Sequence, residues 1–301
     1  MKKLLILLLT TLPCLLSAQQ DPMFTHYMYN TLWLNPAYAG TRDALTFTAI
    51  HRSQWVGFDG APVDQTFTAH MPFYDNKMGA GLSVINDKIG PTKSTIIAGD
   101  WAYQLKLDDK SKLGFGIKAL VNIFNNNING LRLDEQNDAA FASNYQTVKP
   151  NVGTGFYYHR ERFYAGISTP KLIQNKLGKG LAAAKEQRHY FIILGGVLKM
   201  NDKIKFKPTA FVKATEAAPL EADLTANFLF SDCFTAGLMY RTGDAFGALL
   251  AYTHKKSITL GYSFDWSTAN TTGKYNNGSH EIMLRYDLIP NKTKIKSPRY
   301  F

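Results

Sequence analysis

The chain has almost no cysteine. Only Cys14 and Cys233 occur in 301 residues. Cys14 falls inside a removable leader, so no intramolecular disulfide can hold the mature fold. Long apolar runs are equally scarce: after residue 16 no segment approaches the ~20 residues that a membrane-crossing helix needs. No Gly-x-Ser-x-Gly elbow and no Walker loop occur. No nucleophile with a base beside it can be read from the spacing, so hydrolysis gains no support. His26, His51, His70, His159, His189, His254 and His280 are scattered without metal-ligand spacing. A lone strand histidine is more often a lumen or interface residue than a ligand, and neither metal nor cofactor is expected. Acidic residues are outnumbered, 23 against 34 basic, giving a formal charge of +11. For an exported chain that excess suits anionic headgroups or an acidic partner better than nucleic acid, and a generally basic surface explains it equally well.

What is present begins with export. Lys2 and Lys3 precede an apolar run over 4–16, followed by Ser17 and Ala18 at a cleavage edge. That order reads as a signal peptide at 1–18, too short for a comfortable span. Pro13 before Cys14 argues against lipidation.

The stronger signal has period two. Leu220, Ala222, Leu224, Ala226, Phe228 and Phe230 alternate with Glu221, Asp223, Thr225, Asn227 and Leu229. Successive side chains of a strand face opposite sides, so this segment has one apolar and one polar face. Phe115, Ile117, Ala119 and Val121 behave the same way against Gly114, Gly116, Lys118 and Asn122, as do Ile258, Leu260 and Tyr262 against Thr259, Gly261 and Ser263. Such runs match the ~9–11 residues of a tilted strand crossing a bilayer. Trp55, Trp101, Tyr240, Trp266 and Tyr286 fall where an aromatic girdle is expected.

About fourteen strands follow, near 44–55, 64–71, 78–87, 94–106, 112–124, 150–159, 163–168, 188–200, 203–214, 220–230, 233–241, 245–252, 257–266 and 279–288. Connections after even-numbered strands are short, whereas 125–149, 169–187 and 267–278 are long and polar. This is the asymmetry of an outer-membrane β-barrel, with short periplasmic turns and longer extracellular loops. The fold class is therefore all-β, a transmembrane antiparallel barrel over 44–288. Residues 289–301 form a basic tail, and an even strand count places both termini in the periplasm. The aromatic-rich segment within 19–43 has two open placements: inside the lumen, where Gly79/Gly81, Gly114/Gly116 and Gly153/Gly155 leave room for a second backbone, or along the periplasmic base.

Partner-binding candidates are Trp55, Phe58 and Asp59 on a Gly-rich connection, and Arg241 and Asp244 on a tight one. Exposed aromatic and charged loop residues serve recognition. Structural ion pairs of Arg241, Asp244, Arg52 and Asp59 inside the barrel mouth are an equal alternative. Arg52, Lys118, Glu221, Asp223, Asn227, Glu281 and Arg285 fall on polar strand faces and are expected to line the lumen. Expected on the lipid face are Ile117, Leu224, Phe228, Ile258 and Leu260.

Gln20-Asp21-Pro22 with Tyr27, then Asn35-Pro36-Ala37-Tyr38-Ala39-Gly40, resembles the opening of the type IX secretion system membrane proteins of the PorP/SprF family. The likeness continues through Arg52-Ser53-Gln54-Trp55-Val56-Gly57-Phe58-Asp59-Gly60-Ala61-Pro62, Asn86-Asp87-Lys88-Ile89-Gly90-Pro91, Arg188-His189-Tyr190, Lys213 with Ala218-Pro219-Leu220, Tyr240-Arg241-Thr242-Gly243-Asp244-Ala245 and Gly278-Ser279-His280-Glu281 to Leu284. The resemblance implies an outer-membrane component of the secretion and gliding machinery of Bacteroidetes. Its implied partners are a secreted adhesin carrying a C-terminal secretion domain, or lipoproteins of the secretion system. Strand alternation alone equally allows a passive diffusion porin.

Overall fold

The computed structural model describes residues 22–127, 144–177, 184–216, 218–268 and 276–289. The leader, most of the basic tail and parts of the three long connections lie outside them.

Seven strands follow one another as antiparallel neighbours: β1 (Leu45–Ser53), β2 (Val63–Phe73), β3 (Met78–Ile89), β4 (Thr92–Lys106), β5 (Ser111–Asn126), β6 (Tyr145–Arg160) and β7 (Phe163–Thr169). A two-stranded patch, β8 (Lys176–Leu177) and β9 (Ala184–Lys185), stands apart from the wall. β10 (His189–Gly196) and β11 (Leu198–Lys199) make one wall strand interrupted at Val197. Then come β12 (Ile204–Thr215), β13 (Glu221–Phe230), β14 (Phe234–Arg241), β15 (Ala245–His254), β16 (Ile258–Ser267) and β17 (Ser279–Leu288). β1 pairs with β17 and β10 with both β7 and β12, so the wall closes as fourteen antiparallel strands. Closure leaves no unpaired edge, which is the condition for a sheet to stand in hydrocarbon.

Strand bounds fall close to the sequence reading, with one difference worth a cause. β6 begins at Tyr145, five residues before the expected start, and pairs with β5 as far as Asn126↔Tyr145. Pro150, the expected first residue, lies inside β6 opposite Val121, because pairing with the long β5 rather than the local pattern sets where the strand begins. Loop 125–149 is correspondingly shorter.

The period-two pattern becomes two surfaces. Ile117, Leu224, Phe228, Ile258 and Leu260 are all exposed outward, as are Ile97, Val121, Phe156, Ile192, Leu238, Leu250, Ile282 and Leu284. Between them on the same strands, Lys118, Asp223, Thr225, Asn227, Thr259, Ser263 and Glu281 are buried inward. In water the first surface would be an aggregation hazard; as a continuous belt around a closed barrel it is the membrane face. Tyr240, Trp266 and Tyr286 point outward near strand ends, whereas Trp101 lies five residues inside the end of β4.

Turns at one end are short: residues 74–77, 107–110, 161–162, 200–203, 231–233 and 255–257. In one of them Asp108 is held below the usual carboxylate range, first by the Ser111 hydroxyl and then by the Lys110 backbone N–H. The other end carries the long connections 127–144, 170–188 and 268–278, together with residues 54–62, though 90–91 and 242–244 there are short too.

An inward-facing chain segment precedes the wall. Pro22 stands at the long-loop end, beside Ile89, Thr92 and Glu186. From there the chain descends through the lumen as three single turns, Tyr27–Tyr29, Thr31–Leu34 and Pro36–Tyr38. It reaches the short-turn end at Gly40, against Pro72 and Gly79, and enters β1. β17 also finishes at the short-turn end. Strand parity counts only the wall, so it does not place a segment that crosses the lumen once more before β1.

Arginine at Leu224, which is 50% exposed on the outer face, is expected to cost ~2–4 kcal/mol near the midplane. Denaturant unfolding in lipid vesicles measures it, and an unchanged midpoint would contradict the lipid-face assignment.

Candidate functional site

The lumen is filled by this chain's own residues 23–43, called the plug below. Phe24, Tyr27, Leu32, Trp33, Ala37, Tyr38 and Ala39 are buried, Trp33 completely. They pack on Ile50, Ile85, Ile96, Leu120, Tyr157, Tyr164, Phe191, Phe211 and Met283 from the wall. The inward glycines make this possible. A Cβ on Gly79 would lie 2.1 Å from the Ala39 carbonyl oxygen, and one on Gly116 would lie 2.1 Å from the Ala37 nitrogen. No side chain fits there, so the wall is stripped to backbone where the plug passes.

A segment with so little regular structure leaves its peptide groups unpaired, and wall side chains answer them. Gln104 Nε2 donates to the carbonyls of Ala37 and Ala39 (2.9 and 3.1 Å), and Ser168 Oγ to that of Leu34 (2.7 Å). Arg285 Nη2 donates to the Tyr29 carbonyl (2.5 Å). Asn35 works both ways. Its Oδ1 accepts from the Ala37 N–H (2.9 Å), capping the turn that Pro36 opens, and its Nδ2 donates to the Phe156 carbonyl (2.9 Å). These contacts account for the Asn-Pro-Ala-Tyr run.

Ion pairs bolt the plug at three levels. Near the long-loop end, both Glu281 oxygens accept plug backbone N–H groups, from Thr25 (2.9 Å) and His26 (2.8 Å), and His26 Nδ1 lies 2.7 Å from the same carboxylate. Arg52 bridges Glu281 (3.3 Å) and Asp265 (2.7 Å), and Thr25 Oγ1 donates to Asp265 (2.6 Å). At mid-depth Lys118 pairs with Asp100 at 2.7 Å, both fully buried, with its ammonium 5.2 Å from the Trp33 ring centre. At the short-turn end Arg42 grips Asp287 at 2.6 Å. Buried charges at this density are tolerable because each faces an opposite one and further donors.

The expected lumen residues divide accordingly. Arg52, Lys118, Glu281 and Arg285 touch the plug. Asp223 is buried in a two-bond pair with Arg241 (2.9 Å each), Glu221 is half-buried beside Lys213 (3.0 Å), and Asn227 is buried against Thr225. Arg241 was expected on an exposed loop as well, and the structure corrects that placement. It closes β14 with its side chain turned inward, 2% exposed, because Asp223 opposite it in the register draws it into the lumen. Asp244 keeps a partly exposed side chain 3.4 Å from Arg241. Several interior residues were not among the expected lumen residues: Thr25, His26, Asp100, Gln104, Asp265 and the Arg42–Asp287 pair. Inward parity located the wall members, but what they meet depends on the plug's path.

The rim holds the remaining candidates. Residues 54–62 are pinned on both flanks: Val56 N–H donates to the Gly278 carbonyl (2.9 Å) and Gly90 N–H to that of Gly60 (2.9 Å). Trp55 takes a left-handed φ of +46° and is half-buried, with its N–H 3.2 Å from Ser279 Oγ. Gln54 ties back to Asp64 (2.8 Å). Phe58, 53% exposed, and Asp59 are left at the tip. Thr268 N–H reaches the Asp244 carbonyl (2.6 Å), so the two described ends of the β16–β17 connection meet Asp244 and Val56 respectively. Among the described residues no cluster of His, Cys, Asp and Glu suits a metal.

A closed, lipid-belted barrel with one loop-rich end defines an outer-membrane β-barrel protein. Residues 16–286 match the family model described as type IX secretion system membrane protein PorP/SprF, and the chain belongs to that family. It is thus a membrane component of type IX secretion, located in the outer membrane. No curated protein matches the chain. Among solved structures it is similar in fold to the NanC porin (11% identity, 81% of this chain and 99% of that one, TM-score 0.43). Others are a Pseudomonas aeruginosa FadL homologue (13%, 85% and 94%, 0.47) and Acinetobacter baumannii Omp33 (9%, 82% and 99%, 0.45).

Glu281→Ala removes the acceptor of two plug N–H groups and one of the two counter-charges of Arg52. The expected loss is roughly 3–5 kcal/mol, as for breaking other buried pairs, with steady conductance appearing in planar bilayers. A variant as stable and as silent as the parent would contradict the bolting role. The path of the plug has its own check. With long loops facing the cell surface, Pro22→Cys should react with an impermeant maleimide in intact cells. Native Cys233, on the turn before β14, should react only after the outer membrane is opened. The reverse pattern would overturn the threading.

Proposed function

We propose that the barrel is a plugged anchor that holds an exported protein, an adhesin gripped by its C-terminal secretion domain, at the loop-rich rim. The observation carrying this reading is the filled lumen. Trp33 and its neighbours, bolted by Glu281, Asp100 and Asp287, occupy the space a diffusion pore would need. Passive permeation, the other function open to a barrel, then requires the plug to leave, and that exposes several buried ion pairs at once.

The rim supplies what the lumen does not. Phe58 is a large apolar side chain on a backbone fixed at both flanks, so it loses little freedom on binding. Asp59 and Asp244 add charge at the edge. Loops 127–144 and 170–188 lie outside the strand ladder that closes the wall, which suits them to set which partner is accepted. A lipoprotein of the secretion machinery at the short-turn end is the other partner class, reached through the turns and the basic tail rather than through Phe58.

The experiment recovers complexes of the tagged barrel from membranes and compares the parent with Phe58→Ala. Loss of a central aromatic anchor typically costs ~2 kcal/mol or more, so one exported protein should fall at least tenfold in the Phe58→Ala complex and at the cell surface. Full surface display in cells lacking the barrel would end the proposal. Recovery of periplasmic lipoproteins alone would transfer the binding role to the other end.

A further inference from the structure

We propose that a small cavity between the plug and the wall is a site for one monatomic anion, with chloride the abundant occupant. The cavity measures about 20 Å³ and is lined by Tyr29 of the plug and by Tyr164, Lys207, Asn227, Thr235 and Arg285 of the wall, among others. None of its lining side chains is a carboxylate.

Arg285 sets the case. Every other arginine or lysine quoted above from the barrel interior faces an acid: Arg52 with Asp265 and Glu281, Lys118 with Asp100, Arg241 with Asp223, Lys213 with Glu221, Arg42 with Asp287. Arg285 is 3% exposed, and among the described residues no carboxylate comes within ion-pair distance of it. Its guanidinium lies 4.8 Å from the Tyr29 ring centre, its Nη2 donates to the Tyr29 carbonyl and its Nε approaches Thr48 Oγ1 at 3.4 Å. Neutral acceptors satisfy its hydrogen bonds, and the Asp287 carboxylate that acts on it from beyond ion-pair distance is already paired with Arg42, so its charge is compensated only in part in a region of low dielectric. Lys207 adds a second cation to the same cavity.

The remaining polar atoms suit an anion. The Thr235 hydroxyl makes no hydrogen bond among the described residues, and Thr235 is buried against the cavity. It can turn its proton inward beside the two cations. Size then selects the ligand. The space is close to the minimum for a single water, which admits a water or a monatomic ion and excludes phosphate, sulfate or a carboxylate. Since Tyr29 belongs to the plug and Lys207 and Arg285 to the wall strands β12 and β17, a bound halide would clamp the plug in place.

The test uses the full-length purified barrel in detergent. Thermal unfolding is followed at constant ionic strength while chloride or bromide replaces gluconate, which is too large to enter. The expected result is a saturable rise in Tm with either halide, and a single bromide peak in anomalous diffraction beside Arg285. Thr235→Leu fills the cavity while keeping both cations and should abolish the halide dependence. Arg285→Gln should do the same, and if it fails to assemble the Thr235→Leu comparison still decides. Equal Tm in halide and gluconate, or a halide effect that persists in Thr235→Leu, would overturn the site. So would a crystal in bromide with only water beside Arg285.

Discussion

Hydrocarbon leaves a polypeptide no solvent to which it can hand an unpaired N–H or C=O, and that constraint shapes this molecule twice. It closes the wall, because the β1–β17 and β10–β12 pairings consume the last sheet edges. It also governs the interior, where a segment with only three single turns runs through the barrel. That segment is tolerable at membrane depth because Gln104, Ser168, Asn35 and Arg285 complete its backbone from the wall.

The buried charges follow from the same arrangement. A lumen without a plug can hydrate its charged residues, but this one is packed, so each charge needs a partner within the protein. Glu281 is the clearest instance. It is at once the acceptor for Thr25 and His26 backbone and the counter-charge of Arg52, so the plug and the β1–β16–β17 side of the wall are stabilised jointly. The two ends of the barrel are thereby divided in role. One is a set of tight turns, and the other is a rim where an exposed aromatic, Phe58, stands on a backbone fixed at both flanks.

The course of the plug also joins the two ends. It leaves the long-loop rim at Pro22, passes the Glu281 and Lys118 levels and merges into β1 beyond Arg42. A load applied at the rim is therefore opposed by the same ion pairs that keep the lumen filled. This coupling suits a holding function better than a permeation function, in which pore and wall are separable.

Much of the wall was legible in the sequence, and the reason is periodicity. Alternation in 220–230 and 257–266 fixed which residues meet lipid, because a strand's side chains must face opposite sides, and the turn residues fixed where the chain reverses. Parity likewise placed Arg52, Lys118, Asp223 and Glu281 inside. Periodicity is silent on irregular chain, however, so two placements of 19–43 stayed open, and Arg241 stood as readily on a loop as in the lumen. The start of β6 differed for a related reason: residues 145–149 are drawn into the strand by sixteen residues of cross-strand pairing with β5, which no local pattern shows. Only the tertiary structure decided that the plug threads the barrel from rim to base, that Gly79 and Gly116 are bare to admit Ala39 and Ala37, and that Arg285 alone among these interior cations lacks an acid within ion-pair distance. Those are distances between segments far apart in the chain, set by how the closed wall packs around its contents, and no local pattern encodes them.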